Sequence, residues 1–119
     1  MKIKIALCQI NVVDNKEKNI ENATSMILKA VKQNADFIVL PEMFNCPYSN
    51  EKFIEYCEEE TNSPTLSKIA KLADENNTYI LAGSIPEKED SKIFNTSYLF
   101  DKNGEIIAKH RKIHLFDID

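Results

Sequence analysis

Hydrophobic residues alternate with charged ones at the start of the chain. Ile3, Ile5 and Leu7 are interleaved with Lys2 and Lys4, and the stretch from Lys2 to Ile10 reads as a first strand entering a buried sheet. The period then changes. Ile20, Ala23, Ile27, Ala30 and Val31 recur at helical spacing, and Asp14 with Glu17 three residues later forms a capping pair, which predicts an amphipathic helix over residues 15–34. Asn34-Ala35-Asp36 interrupts it, and Phe37-Ile38-Val39-Leu40 is a short β-favouring run ended by Pro41, which cannot continue a hydrogen-bonded ladder. Glu42 is thereby placed just beyond the carboxyl end of a strand.

The alternation of strand and helix continues. Ser63 offers an N-cap oxygen and Pro64 a preset φ, Leu66, Ile69, Ala70 and Ala73 line one helical face, and Asn76-Asn77 ends it. Tyr79-Ile80-Leu81-Ala82 reads as another core strand closed by Gly83. Residues 93–100 and 105–111 flank Asp101-Lys102-Asn103-Gly104, a segment suited to positive φ, and so form a hairpin. Helices placed between strands predict a layered α/β architecture with its site at the loops beyond the strand ends. Glu58-Glu59-Glu60 is expected to be a solvated helix end.

Composition narrows the choice of function. The 119 residues, 43% of them hydrophobic, suit one packed domain, and a net charge of -4 provides no basic stripe for nucleic acid, so a small soluble substrate is the expected partner. No run reaches the roughly 20 apolar residues of a membrane span, and the alternating start lacks the apolar core of a signal peptide, so no membrane association and a cytoplasmic location are expected. Cys8, Cys46 and Cys57 match neither a disulfide framework nor a zinc ribbon. With only Gly83 and Gly104, the chain has no glycine-rich phosphate loop.

Two ionisable residues stand where apolar runs give way to loop: Glu42, and Lys112 in His110-Arg111-Lys112-Ile113-His114-Leu115-Phe116. A carboxylate at the end of a buried strand is partly desolvated and becomes a better proton acceptor, whereas the alternative for Glu42 is an ordinary loop position. Strand alternation puts Lys109 and Arg111 on one face and His110 and Lys112 on the other; the alternative for Lys112 is a solvent-facing basic cluster. His110 and His114 share the i, i+4 spacing of a helical metal site, but they fall on a strand leading into a loop, so no metal is expected. Cys46 reads as a small, half-buried loop residue rather than a nucleophile.

In order along the chain, Leu7-Cys8-Gln9, Leu40-Pro41-Glu42-Met43-Phe44, Gly83-Ser84-Ile85-Pro86-Glu87, Phe94-Asn95-Thr96 and the run from Lys109 to Asp119 resemble the first half of the nitrilase, or carbon-nitrogen hydrolase, superfamily. The Asn45-Cys46-Pro47-Tyr48 loop and the ending Arg111 to Asp119 are most similar to the ω-amidase branch. The resemblance implies the N-terminal part of a four-layer αββα sandwich, homodimeric in the complete protein; the sequence itself gives no sign of a cofactor, and none is expected. It implies a Glu-Lys-Cys triad in which Glu42 is the general base and Lys112 stabilises the tetrahedral intermediate. The nucleophilic cysteine, in a later Cys-Tyr-Asp-like motif, and a second glutamate are absent from residues 1–119. Implied substrates are small ω-amides such as α-ketoglutaramate and α-ketosuccinamate, with Tyr48 available as a phenolic substrate contact.

The chain is accordingly expected to be a partial carbon-nitrogen hydrolase domain, inactive alone, from a truncated gene, a split gene or a deliberate cut. If a missing half supplies an opposing sheet, apolar strand faces should be left uncovered. The alternatives are a non-catalytic half-sandwich interaction module and a fragment of an N-carbamoyl amine hydrolase.

Overall fold

The computed structural model describes the backbone of residues 2–117 and the side chains of residues 2–112. Five strands form one sheet in chain order: β1 (Ile5–Leu7), β2 (Phe37–Val39), β3 (Tyr79–Glu89), β4 (Lys92–Phe100) and β5 (Ile106–Asp117). The first three run parallel and the last two are antiparallel to their neighbours. Helices α1 (Lys16–Lys32) and α3 (Pro64–Asn76) make the parallel crossovers, and a short helix α2 (Asn50–Tyr56) precedes α3.

Local chemistry sets the helix ends. Asn15, not the expected Asp14, caps α1, its side chain accepting from the Lys18 amide; Asp14 instead pairs with Lys52 and Tyr56. Ser63 caps α3 through the Leu66 amide with Pro64 behind it, and Asn77 ends that helix at φ 50°, a left-handed conformation asparagine tolerates. Ala23, Ile27 and Ala30 of α1 and Leu66, Ile69, Leu72 and Ala73 of α3 pack on Ile38, Ile80, Ala82, Tyr98 and Phe100, all on one face of the sheet.

Among the described residues, no helix packs on the opposite face in this way. The register aligns Leu7, Val39, Leu81 and Leu99 in one cross-strand row and Ile5, Phe37 and Tyr79 in the next, with the Phe37 and Tyr79 rings stacked at 6.1 Å. Ile3, Ile5 and Leu7 are 62%, 59% and 76% exposed, and the strand read over Lys2 to Ile10 spans only Ile5–Leu7. Its amide ladder is in the sheet, but only Ala6 faces the helices. Such a patch favours burial against another apolar surface. The isolated 119-residue chain is expected to self-associate with increasing concentration in sedimentation velocity, and Leu7→Lys to weaken that association without lowering the melting temperature. A monomer at every concentration would contradict this.

The third strand runs past its expected end. Gly83 does not close β3: the pairing with β4 shifts between Ala82 and Ile85, and the strand resumes through Pro86 to Glu89. It then turns at Asp90, whose φ is 56°, so a second hairpin precedes the one at Asn103-Gly104. A bulge absorbs one extra residue without ending the ladder.

Candidate active site

Glu42 reaches the surface because everything around it is held down. The Leu40 amide donates to the Leu81 carbonyl (2.9 Å), continuing the β2 ladder, and Met43, Phe44, Asn45 and Cys46 are at most 1% exposed. Met43 reverses the chain at φ 50°, an uncommon conformation for a side chain of its size, and its amide donates to the Ser84 hydroxyl (2.8 Å). The Phe44 amide donates to the Ser84 carbonyl (3.3 Å). The β3 bulge is thus the seat of the loop that carries Glu42. Gly83 brings the two together, since a Cβ there would lie 1.7 Å from the Leu40 carbonyl oxygen.

Lys112 arrives from β5 at the same end of the sheet. Between the pairs Thr96↔Arg111 and Phe94↔Leu115 the register shifts, with β5 carrying two more residues than β4, so Lys112 lies in an irregular stretch. Bulges of this kind re-aim side chains. Its ammonium lies 3.4 Å from Glu42 Oε2, across 70 residues of sequence, and both side chains are about half exposed (49% and 47%). A carboxylate just past the carboxyl end of β2, in contact with an ammonium from the irregular stretch of β5, can accept a proton and offset a developing negative oxygen in the same place.

The opposite side of β5 is pinned. Arg111 donates through Nε and Nη2 to the two oxygens of Glu87 (2.9 Å each), its guanidinium lies 4.0 Å from the Phe94 ring centre, and Lys109 donates to Glu87 Oε2 (2.7 Å). The expected division of faces therefore holds: Lys109 and Arg111 on one side, Lys112 on the other. Burial by itself pushes the Glu87 carboxyl up, but Arg111, Lys109 and the Thr96 hydroxyl outweigh it and bring the pKa down to about 2. A carboxyl lowered on folding adds stability above its ordinary value near 4.5 and loses it as pH falls toward 2. With solvent screening of the partly exposed cations, that contribution is on the order of 2 kcal/mol. Urea unfolding at several pH values is expected to show Glu87→Gln less stable at pH 7, with the difference from the parent closing between pH 4.5 and 2. A difference that stays constant with pH would contradict this.

A buried polar network supports the same loop, and its centre was not legible in the sequence. Glu58, expected to be solvated, is 6% exposed. It accepts from the Ser63 hydroxyl, the Thr65 amide (3.1 Å) and hydroxyl (2.6 Å), and Asn45 Nδ2 (3.1 Å), with the Lys16 ammonium at 3.3 Å. Asn19 Nδ2 donates to the Asn45 carbonyl (3.1 Å). The acidic run gives no hint of this, because the partners come from three other segments. The one available signal is Ser63 and Thr65 bracketing a helix start shortly after a glutamate.

The remaining candidates stand apart from the pair. Tyr48 is 65% exposed with its ring edge-on to Phe53 at 5.2 Å. Cys46 Sγ lies 3.2 Å from the Pro47 carbonyl, and burial pushes its thiol up to about 12, so it holds its proton at neutral pH. Burial also raises the pKa of Cys8 and of Cys57. His110 is exposed and the side chain of His114 lies outside the described residues; among those described, no three His, Cys, Asp or Glu side chains converge to hold a metal.

Comparison with known proteins places this α/β sheet and its Glu42–Lys112 contact. Residues 4–119 match the carbon-nitrogen hydrolase family, and the chain belongs to that family. It is 47% identical over 118 residues to nitrilase homolog 2 of Dictyostelium discoideum and 41% identical over 116 residues to omega-amidase NIT2 of Mus musculus. Each alignment covers 98% of this chain but only 36% and 42% of those proteins, so the chain spans about two fifths of the length of the curated relatives it matches. Nit3 of Saccharomyces cerevisiae, a member of the nitrilase superfamily, superimposes with a TM-score of 0.86 at 35% identity, covering 96% of this chain and 45% of that one. The five-stranded sheet and its helices have the nitrilase fold.

Proposed function

We propose that residues 1–119 are part of an ω-amidase-type hydrolase domain in which Glu42 is the general base and Lys112 the oxyanion-stabilising cation. The observation that carries this reading is the 3.4 Å contact between these two side chains. Relatives named omega-amidase support an ω-amide as the substrate class; the substrates we propose within it are small ω-amides of short dicarboxylic acids such as α-ketoglutaramate.

In this reading a cysteine from outside residues 1–119 gives its thiol proton to Glu42. The thiolate attacks the amide carbon, and Lys112 faces the oxygen that takes up the negative charge. As the carbon-nitrogen bond breaks, the proton held by Glu42 passes to the leaving nitrogen and ammonia departs. A thioester remains. Glu42 then removes a proton from water, the resulting hydroxide bonds to the thioester carbon, and the carbon-sulfur bond breaks, the departing thiolate taking the proton back from Glu42 as the acid is released. Tyr48, exposed on the same loop, is the phenolic group available to the substrate. The complete protein would act as a homodimer on a small-molecule substrate, in the cytoplasm and without a cofactor.

The test is release of ammonia from α-ketoglutaramate by this chain alone and by the chain supplied with the downstream part of its reading frame. No turnover alone and turnover on completion are expected. Activity of the isolated chain that Cys46→Ser abolishes would overturn the reading, since it would put the nucleophile within residues 1–119.

A further inference from the structure

Among the described residues, the two most deeply buried acidic side chains, Glu58 (6% exposed) and Glu87 (2%), take no part in the chemistry above, yet Glu58 bonds Asn45 in the loop of Glu42, and Glu87 bonds Arg111, the chain neighbour of Lys112. A carboxyl group is tolerated away from water only where its polar atoms find partners. Glu58 meets that condition with the α3 start and Lys16, and its bond to Asn45 Nδ2 reaches into the buried run that follows Glu42. Glu87 meets it with the Arg111 fork and Lys109, the residues on the reverse side of β5 from Lys112.

The two carboxylates are also locked to each other through the main chain. Glu58 pairs with Glu87 as a parallel bridge beside β3: the Glu58 amide donates to the Pro86 carbonyl (3.1 Å) and the Lys88 amide to the Glu58 carbonyl (2.9 Å). Side chain and backbone therefore make one continuous path: Glu42 loop, Asn45, Glu58, Glu87, Arg111, Lys112. Both ends of the path are half exposed and every link between them, apart from the Arg111 side chain, is buried.

We propose that Glu58 and Glu87 form a two-carboxylate brace, a pair of positioning residues that fixes the separation of Glu42 and Lys112. The inference rests on the amidase reading for what the separation is used for. Displacing a reacting group by about 1 Å can cost on the order of 100-fold in rate.

The experiment measures kcat and KM for α-ketoglutaramate hydrolysis by the completed chain carrying Glu58→Gln, Glu87→Gln and both together, beside Glu42→Gln and Lys112→Met. Each single brace variant is expected to lower kcat by 10- to 100-fold with KM within twofold. Because the brace acts as a unit, the double variant should lose less than the product of the single losses. Should either glutamine variant fail to fold, Asn45→Ser and Arg111→Lys cut only the links at the two ends and carry the same expectation. The brace is overturned if these variants keep kcat within twofold, raise KM alone, or combine multiplicatively while Glu42→Gln and Lys112→Met still abolish turnover. If instead Glu42→Gln and Lys112→Met leave turnover intact, the amidase assignment of the pair fails, and the brace loses its catalytic purpose with it.

Discussion

Gly83→Ala is expected to destabilise the chain by at least about 3 kcal/mol, and so to lower its melting temperature by roughly 10 °C or more. The added Cβ would sit 1.7 Å from the Leu40 carbonyl oxygen, 2.8 Å from its carbon and 3.1 Å from the Pro41 carbonyl carbon. All three are backbone atoms, so no rotamer change relieves the overlap. The strands must separate at the point where the Leu40 amide meets Leu81 and where Ser84 holds Met43 and Phe44. The damage should therefore extend to the loop of Glu42, seen as faster amide exchange at Met43 and Phe44. Thermal and urea unfolding check the magnitude; a melting temperature within about 2 °C of the parent would show that β2 and β3 are not in close contact here.

Glu42→Gln in the completed chain is expected to lower kcat by about 1,000-fold, and Lys112→Met by about 100- to 1,000-fold, with KM changed far less. Glutamine keeps the size and hydrogen-bonding reach of the side chain but cannot accept a proton, so neither thiol nor water is activated. Methionine keeps the stem of Lys112 and removes the charge facing the oxyanion. Both side chains are about half exposed, and their mutual ion pair is the type of contact that contributes little to folding. The variants should therefore melt within about 1 kcal/mol of the parent, separating loss of chemistry from loss of structure. A rise in KM with kcat preserved would recast the two residues as substrate anchors.

Much of the scaffold was legible because local chemistry wrote it. Apolar residues at helical spacing marked α1 and α3, Ser63-Pro64 marked a helix start, and Pro41 marked the end of β2. The division of β5 into a Lys109/Arg111 face and a Lys112 face followed from a period of two. What escaped involved competition between neighbours or contacts across long separations. Asn15 took the cap that Asp14 was expected to fill, because Asp14 is drawn to Lys52 and Tyr56 some 40 residues away. Gly83 read as a terminator since glycine commonly breaks strands, whereas here the missing side chain lets β3 touch β2 and continue. Glu58 read as solvated because charge runs usually are, and α2 left too short a pattern to register.

The sequence by itself determined the alternation of β1, α1, β2, α3 and β3, their apolar faces and the placing of Glu42 just past the end of β2, since each follows from periodicity and turn chemistry over a few residues; Lys112, read at the end of a strand, lies inside β5. Only the tertiary structure decided that these two side chains meet, because their contact depends on two bulges and a glycine close approach that bring β2, β3 and β5 to one end of the sheet. It also decided that Glu58 and Glu87 are buried. Burial and long-range pairing are set by where segments pack, and no local pattern encodes the distance between residues 70 positions apart.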